Sequence, residues 1–392
     1  MSDHTPLSVF IHPGAFSLNP YSGISRYVCD LLDAMEEDEL IRFSLPLYKS
    51  NNAFLPRTRF YARTNAACLR APWPMRLAAA IGRRTRLARR SEKWFWRETA
   101  RRNFLAGQYD LIHPSYTNDL DILDYVGSTP LVVTIHDMTH ERHPESFASY
   151  DPTAERKKLF AQRAQRIIAI SETTKRDIVE LLDIEPSKID VIYHGRPMQY
   201  VEAAPIGELP LPDTYLLFVG KREGYKNFEL FLQAASRLKG DYPSLHCVCT
   251  GQDTLTGSET ALIDSLDLSG RVHHFRMTDA QLALAYKKAL AFVYPSYYEG
   301  FGLPILEAFT HKTPVVCARA SCFPEIGAEA CLFFDPHDAE SLADTLRKII
   351  DDRDLREEMI RRGNERLPCF SWQTAARQTL ETYQRALPAC KR

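Results

Sequence analysis

Two glutamates lie eight residues apart around a short glycine-containing stretch, Glu299-Gly-Phe-Gly-Leu-Pro-Ile-Leu-Glu307. The apolar run before it, residues 289–294, predicts a buried strand, and Pro304 suits the first residue of a helix because its fixed φ fits there. A strand, a glycine loop and a helix N-terminus together present free N–H groups to a phosphate. The two carboxylates are better partners for sugar hydroxyls than for phosphate. The stretch therefore predicts a ligand that contains both sugar and phosphate.

A second stretch, Gly220-Lys-Arg-Glu-Gly-Tyr-Lys-Asn227, carries cations directly after the apolar run Tyr215–Val219. A departing diphosphate gains negative charge, and cations fixed in a site with little water stabilise that charge. We expect Lys226 to be one of these cations. The second is Lys221 or Arg222, and the sequence leaves both open.

His136 follows the β-branched run Leu131–Ile135, which is typical of a buried parallel strand. The histidine therefore stands at the carboxyl edge of a predicted sheet, where doubly wound folds bind their ligands. We favour a functional role for it over a purely structural one.

Strand-like and helical patterns alternate through both halves of the chain, which predicts parallel sheets covered by helices. A chain of 392 residues exceeds one ordinary core, so we expect two domains. Residues 197–214 contain four prolines and no clear period, and we interpret them as a linker. The predicted domains are residues 1–196 and 215–369, followed by a terminal helix within residues 370–392.

The glutamate-flanked stretch resembles the Glu-x7-Glu signature of retaining glycosyltransferases of family 4, which use nucleotide sugars and have the GT-B fold. Similarity to this family extends to Gly23-Ile-Ser-Arg-Tyr27, to Thr134-Ile-His-Asp-Met138, to the cationic stretch and to the terminal helix. The resemblance implies an α/β structure in which two Rossmann-like domains face each other across a cleft. It also implies that the C-terminal helix crosses back to the first domain.

The resemblance implies a role for each matching residue. Lys226 and the second cation neutralise the diphosphate, and Glu307 accepts hydrogen bonds from the ribose. Glu299 and the backbone after it hold the sugar and phosphate, while His136 hydrogen-bonds the sugar from the opposite domain. The predicted catalytic residues are His136, Lys226 and Glu299, and the predicted donor-binding residues are Gly23, Lys221, Arg222, Lys226, Met277, Glu299, Gly300, Phe301, Gly302, Leu303 and Glu307.

The activity that the resemblance implies is transfer of a hexose to a glycan hydroxyl with retention of configuration, along a front-face path without a protein nucleophile. The stretch around His136, with Pro144-Glu145 after it, is similar to mannosyl- and rhamnosyltransferase-like members, so GDP-mannose is the first expected donor. A cationic clamp makes a metal dispensable, and we predict neither a metal site nor a bound cofactor. Two alternatives stay open: another GT-B enzyme of the phosphorylase or epimerase type, and a catalytically silent GT-B scaffold subunit.

A basic segment containing tryptophans lies within residues 70–105. Over residues 70–102, eleven basic residues stand against two acidic ones, although the formal net charge of the whole chain is −1. Such segments are typical of anchors on anionic membrane surfaces, which predicts a lipid-linked acceptor, such as a precursor of O-antigen, capsule or exopolysaccharide. A solvated helix face is the alternative, and the absence of a known nucleic-acid module argues against nucleic acid. The predicted patch comprises Arg83, Arg84, Arg89, Arg90, Trp94 and Trp96.

The remaining features of the sequence argue against several classes of protein. The first residues lack the apolar stretch of a signal peptide, and no run of about 18 apolar residues predicts a membrane span. The nine cysteines form no Cys-x-x-Cys pair, which favours buried thiols over disulfides or zinc. We therefore expect a cytoplasmic protein, peripheral on the cytoplasmic face of the inner membrane.

Overall fold

The structure, a computed structural model, describes residues 5–17, 21–47, 50, 52–62, 86–116, 121–196, 209–222, 224–251 and 254–388. The chain divides into two compact units. The first unit consists of Met1–Glu141, Tyr150–Gly195 and Trp372–Arg392, and the second of Arg142–Ser149 and Arg196–Ser371. Most of the predicted linker, residues 197–208, lies outside the described residues, as does the basic segment before residue 86.

The first unit is built around parallel strands. In its described part these are β1 (Leu7–Ile11), β2 (Ile41–Ser44), β3 (Leu111–His113), β4 (Val132–Ile135), β5 (Arg166–Ala169) and β6 (Ile189–Val191). The strands pair in the orders β2-β1-β3 and β4-β5-β6, and isolated parallel bridges connect Ile112 to Leu131 and Ser115 to Thr134. β4 is buried along its whole length, as expected for an apolar parallel strand covered on both faces.

Helices of the first unit follow these strands. In the described residues they are α1 (Gly23–Met35), α2 (Arg86–Ala106), α3 (Ile122–Tyr125), α4 (Thr139–Arg142), α5 (Thr153–Arg163) and α6 (Glu172–Leu182). The Ser171 hydroxyl accepts a hydrogen bond from the Thr174 N–H at 3.0 Å, which caps the N-terminus of α6.

The second unit contains one sheet with a reversal in its strand order. Its strands are β7 (Tyr215–Val219), β8 (His246–Thr250), β9 (Val272–Phe275), β10 (Ala291–Tyr294), β11 (Val315–Ala318) and β12 (Cys331–Phe334). The order β12-β11-β10-β7-β8-β9 is that of dinucleotide-binding Rossmann folds. The helices between and after them are α7 (Phe228–Leu238), α8 (Gly257–Ser265), α9 (Asp279–Lys288), α10 (Leu303–Thr310), α11 (Phe323–Gly327), α12 (Ala339–Asp351) and α13 (Arg353–Arg366).

The last helix, α14 (Trp372–Ala386), belongs to the first unit although it follows the second in sequence. Its Tyr383 is completely buried, and the Tyr383 hydroxyl lies 2.7 Å from His113 Nδ1. Thr382 Oγ1 donates a hydrogen bond to Asp190 Oδ2 at 3.0 Å. The structure thus confirms both the predicted α/β class and the predicted return of the terminal helix to the first half of the chain.

Candidate functional site

The strand order of the second unit reverses between β7 and β10, which are neighbours in the sheet although two strands, β8 and β9, separate them in chain order. In open parallel sheets, ligands bind outside the carboxyl ends of the strands at such a switch point. The Tyr297 N–H donates to the Tyr225 carbonyl at 2.8 Å, which ties together the loops that follow these two strands. Asn227, in the left-handed conformation, donates from Nδ2 to the carbonyls of Pro295 and Pro336 at 3.2 and 2.9 Å.

Lys226 and Glu299 form a direct ion pair at this switch point. Their side chains are 17% and 16% exposed, so both charges are largely but not wholly withdrawn from water. The Lys226 ammonium also lies 5.0 Å from the centre of the Tyr225 ring. The pair holds a cation in a fixed position at a partly dry sheet edge, which is an arrangement that can stabilise a departing phosphate.

The backbone of Glu299 is held by residues that the sequence motif does not contain. Ser321 Oγ accepts a hydrogen bond from the Glu299 N–H at 3.2 Å and donates one to the Glu299 carbonyl at 2.6 Å. Cys322 Sγ donates to the same carbonyl at 3.2 Å. No sequence pattern signals these contacts, because they join residues more than twenty positions apart.

The glycine loop leads directly into α10, with Leu303 as the first helical residue and Pro304 in the first turn. Gly302 has φ +94°, and a Cβ there would lie 3.3 Å from Ile305 and 3.4 Å from Phe323, so the position requires glycine. Gly300 is buried, and Phe301 is an interior residue that packs edge-on against Phe370 at 5.9 Å. The predicted role of the loop thus concerns its backbone.

Glu307 lies on α10 and is half-buried. Its Oε2 accepts a hydrogen bond from the Tyr286 hydroxyl at 3.2 Å. Tyr286 is almost completely buried on α9, so this contact fixes the carboxylate from the side of the neighbouring helix.

The two candidates for the second cation differ in their surroundings. The Arg222 side chain is only 5% exposed and donates from Nε to Glu259 Oε1 at 2.8 Å and from Nη2 to the Thr254 carbonyl at 3.0 Å. Burial tends to raise the pKa of Glu259, but hydrogen bonds from Thr256 and Arg222 hold it below its ordinary value. Lys221 is exposed.

Met277 lies in the turn between β9 and α9 and is half-buried. Because β9 is parallel to the other strands of its sheet, this turn is at the same sheet edge as the glycine loop. The structure therefore brings the predicted donor-binding residues of the second unit to one edge.

The second unit also includes the segment Arg142–Ser149, which the sequence places among elements of the first unit. The His143 ring stacks on Tyr225 with 6.2 Å between ring centres and is tilted against Tyr298 at 6.0 Å. Gly224 has φ +46°, and a Cβ there would lie 2.9 Å from Ser146 Oγ. The segment thus adds a histidine next to the residues that flank Lys226 and Glu299.

In the first unit, His136 lies immediately after β4 and is half-buried among aromatic rings. Tyr27 meets it edge-on at 4.8 Å, Tyr116 is tilted at 6.1 Å, and the His194 ring stacks parallel to it at 5.9 Å. Burial, the main cause, lowers the pKa of His136 to about 4. At neutral pH the imidazole is therefore uncharged and can donate one hydrogen bond and accept another.

A chain of hydrogen bonds passes beneath His136. Tyr383 Oη is 2.7 Å from His113 Nδ1, His113 Nε2 is 3.0 Å from Thr134 Oγ1, and Thr134 Oγ1 is 3.1 Å from the Tyr27 hydroxyl. Burial and the nearby His136 lower the pKa of His113 to about 3. The chain fixes the Tyr27 ring against which His136 packs.

Gly23 is the first residue of α1 and follows Ser22. A Cβ at Gly23 would meet no atom within 4 Å, and its φ lies outside the left-handed region. Its surroundings in the described residues therefore leave room beside the backbone, as the predicted role requires.

The structure separates the two tryptophans of the predicted membrane patch. Trp94 is 55% exposed on α2, whereas Trp96 is 8% exposed and belongs to the protein interior. Of these two rings, Trp94 alone is therefore accessible from the surface. Arg83 and Arg84 lie outside the described residues, as do the side chains of Arg89 and Arg90 on α2.

No helix in the described ranges is long and apolar enough to cross a bilayer. Likewise, this part of the chain contains no group of three or more histidine, cysteine, aspartate or glutamate residues placed to hold a metal ion.

Comparison with known proteins gives two matching family models. "Glycosyltransferase Family 4" matches residues 21–199, and "Glycosyl transferases group 1" matches residues 202–366. O-antigen chain mannosyltransferase B of Escherichia coli is 28% identical over 313 residues, covering 72% of this chain and 81% of that protein. O-antigen chain mannosyltransferase RfbU of Salmonella typhimurium is 28% identical over 218 residues, covering 55% of this chain and 60% of that protein. Among solved structures, sucrose-phosphate synthase from Thermosynechococcus elongatus has a TM-score of 0.67 at 19% identity, covering 97% of this chain and 98% of that one.

Proposed function

This chain belongs to the group 1 and family 4 glycosyltransferases and has the GT-B fold, and we propose that it transfers mannose from GDP-mannose to a hydroxyl of a growing glycan. The Lys226–Glu299 ion pair at the strand-order switch point is the observation that carries this proposal, because it places a fixed cation where a diphosphate would leave. Similarity to two O-antigen chain mannosyltransferases supports mannose as the transferred sugar.

In this proposal the second unit binds the donor. The N–H groups of the glycine loop and of the N-terminus of α10 bind phosphate, and Lys226 neutralises the charge that develops on the diphosphate. Glu307, oriented by Tyr286, accepts hydrogen bonds from the ribose hydroxyls. Glu299 orients Lys226 and hydrogen-bonds the sugar.

The reaction retains the configuration of the transferred sugar and proceeds at its front face. The acceptor hydroxyl attacks on the side from which the diphosphate departs, and the leaving phosphate oxygen takes up the hydroxyl proton. His136, which is uncharged at neutral pH, hydrogen-bonds the sugar without becoming its covalent partner. Because Lys226 supplies positive charge at the diphosphate, the reaction needs no metal.

Nucleotide binding tests the donor site directly. We expect GDP and GDP-mannose to raise the melting temperature of the protein, whereas UDP, dTDP and their sugars should have little effect. Glu307→Ala should weaken GDP-mannose binding by about 10- to 100-fold, because hydrogen bonds to a charged group contribute about 1.5–3 kcal/mol. Calorimetry measures both effects, with Glu340→Ala, an exposed carboxylate of α12, as the matched control.

The binding measurement and the matching assay of sugar transfer distinguish the alternatives. Selectivity for UDP or dTDP would overturn the GDP-mannose assignment and leave the fold unaffected. Formation of sugar products that depends on inorganic phosphate and needs no glycan acceptor would favour a phosphorylase. No binding of any nucleotide would favour a catalytically silent scaffold. If EDTA abolished transfer and Mg²⁺ restored it, metal independence would be wrong.

We further propose that the acceptor is lipid-linked and that α2 contacts an anionic membrane surface. The exposed Trp94 on a helix with basic residues supports this proposal. Because electrostatic attraction contributes about 1 kcal/mol per basic residue near such a surface, each basic residue lost should weaken binding severalfold.

Liposome flotation checks the membrane proposal. The protein should float with vesicles containing anionic lipid and should remain in the dense fraction with neutral vesicles. Changing Arg83, Arg84, Arg89 and Arg90 to serine, or Trp94 to alanine, should abolish flotation. Tyr150→Ala, which removes an aromatic ring that is 86% exposed elsewhere in the first unit, is the matched control. Equal flotation with both vesicle types would contradict the proposal.

A further inference from the structure

Lys157 lies on α5, and its side chain is completely buried. An ammonium group withdrawn from water is costly unless hydrogen-bonded carboxylates compensate its charge. Nothing in the sequence marks this lysine, since α5 contains three other basic residues with no distinguishing pattern.

The Lys157 ammonium holds the segment that begins at His136. It donates hydrogen bonds to the Asp137 carbonyl at 2.9 Å, to Asp137 Oδ1 at 3.2 Å and to Glu141 Oε2 at 2.9 Å. It also lies 5.3 Å from the centre of the Tyr116 ring, which in turn contacts His136. Asp137 Oδ1 accepts a further hydrogen bond from the Thr139 N–H at 3.1 Å.

We propose that Lys157 is a positioning residue for His136, because its ammonium fixes both the main chain and the carboxylate of Asp137, the residue that follows the histidine. This inference rests on the role in sugar transfer proposed for His136. Lys157 itself lies within the protein and acts only through the segment it holds.

The charges around His136 support this assignment. Asp137 and Lys157 are its charged neighbours, with His113 and His194 as uncharged titratable neighbours and the Tyr27 and Tyr116 rings against it. Burial lowers the pKa of His136, the Asp137 carboxylate opposes this, and the Lys157 charge lowers the pKa further. Loss of the lysine therefore releases the loop and removes a positive charge that keeps the imidazole neutral.

The cluster also explains why a simple substitution is insufficient as a test. Lys157 is one cation between two carboxylates, and Glu141 Oε1 is buried without a hydrogen-bond partner among the described residues. Lys157→Met alone leaves two uncompensated charges and can unfold the protein. The variant Lys157→Met/Asp137→Asn/Glu141→Gln removes all three charges, preserving the volume of the cluster while abolishing the ammonium's hydrogen bonds.

The experiment compares this triple variant and Lys157→Arg with the wild-type protein. We expect kcat for sugar transfer to fall by about 10²-fold in the triple variant, as for a misplacement of roughly 1 Å, while KM for the nucleotide sugar changes less than threefold. In ¹⁵N-histidine spectra, assigned with His136→Gln, the pKa of His136 should fall below its wild-type value of about 4, because burial persists and the variant loses the Asp137 carboxylate, which raises this pKa more than Lys157 lowers it. Lys157→Arg should restore part of both properties.

Lys188→Met is the matched control, because Lys188 Nζ binds only the carbonyls of Ala161 and Gln162 in the described part of the same unit. It should alter neither kcat nor the His136 titration. An unchanged kcat and an unchanged His136 titration in the triple variant would overturn the positioning role; if that variant does not fold, the same two readings on Lys157→Arg decide. Full activity of His136→Gln would instead refute the proposed role of the histidine, while the titration would still report on Lys157.

Discussion

Replacing Lys226 with methionine is expected to lower kcat for sugar transfer by about 10²- to 10³-fold, the loss typical of removing one group that stabilises charge in the transition state. The substitution removes a cation from the partly dry edge of the sheet and leaves Glu299, 16% exposed, without its ion-pair partner. The carboxylate would then repel the departing diphosphate. The two effects act in the same direction, so the loss should exceed that of an exposed lysine by at least tenfold.

Initial rates with saturating donor measure this loss, and the melting temperature from a thermal-shift assay checks that the variant is folded. Lys239→Met is the matched control, because Lys239 pairs with the exposed Asp267 on the surface of the same unit and should change kcat little. Equal rates for Lys226→Met and Lys239→Met would refute the proposed role of Lys226.

The two candidates for the second cation should differ in their effect on stability. Arg222→Met should lower the melting temperature, because it leaves Glu259 without its ion-pair partner, and Lys221→Met should not.

Features with a local sequence signal could be predicted. Gly302 and Pro304 together indicate the start of α10. Gly302 has a positive φ that few other residues adopt, and the fixed φ of Pro304 suits the first turn of a helix. The β-branched run before His136 indicates a buried parallel strand, and the structure places the histidine at its carboxyl end. For such features, the physical cause lies within a few residues of the pattern.

Other parts of the candidate site depend on long-range packing and have no local signal. The burial of Trp96 beside an exposed Trp94 depends on which face of α2 meets the core. The contact of His143 with Tyr225 joins positions more than eighty residues apart, as does the hydrogen bond between His113 and Tyr383. A single sequence does not reveal these pairs, because each side chain alone is compatible with many partners.

Acidification from pH 7 to pH 5 is expected to destabilise the first unit strongly. Burial is the main cause that lowers the pKa of four of its histidines, and the shift is large for three of them: to about 3 for His113, to about 4 for His136, and well below 6.5 for His194. In the unfolded chain each of these imidazoles returns to an ordinary pKa of about 6.5.

The sign of the effect follows from proton binding. Between pH 6.5 and the folded pKa values, the unfolded chain binds protons that the folded unit excludes, so the free energy of unfolding falls as the pH falls. The stabilisation is complete above pH 6.5 and decreases by about 1.4 kcal/mol per histidine for each pH unit below it. Asp137 adds to the loss only below its ordinary pKa of 3.8: burial, the largest single cause, raises its pKa, but the Lys157 charge and the hydrogen bonds from Thr139 and Lys157 together lower it by more.

Tryptophan fluorescence reports on the unit that contains these histidines, because the three tryptophans among the described residues, Trp94, Trp96 and Trp372, all belong to the first unit. Urea unfolding monitored at pH 7, 6 and 5 should give a falling midpoint, and His113→Gln should reduce the pH dependence by about a third, its share of the three histidines. Ile178→Val, which trims a buried and uncharged residue of the same unit, should lower stability by about 1 kcal/mol at every pH and leave the pH dependence unchanged. If the wild-type midpoint stayed constant from pH 7 to pH 5, the histidines would have to take up protons in the folded unit as they do in the unfolded chain. His136 would then carry a positive charge at pH 5, contrary to the proposal.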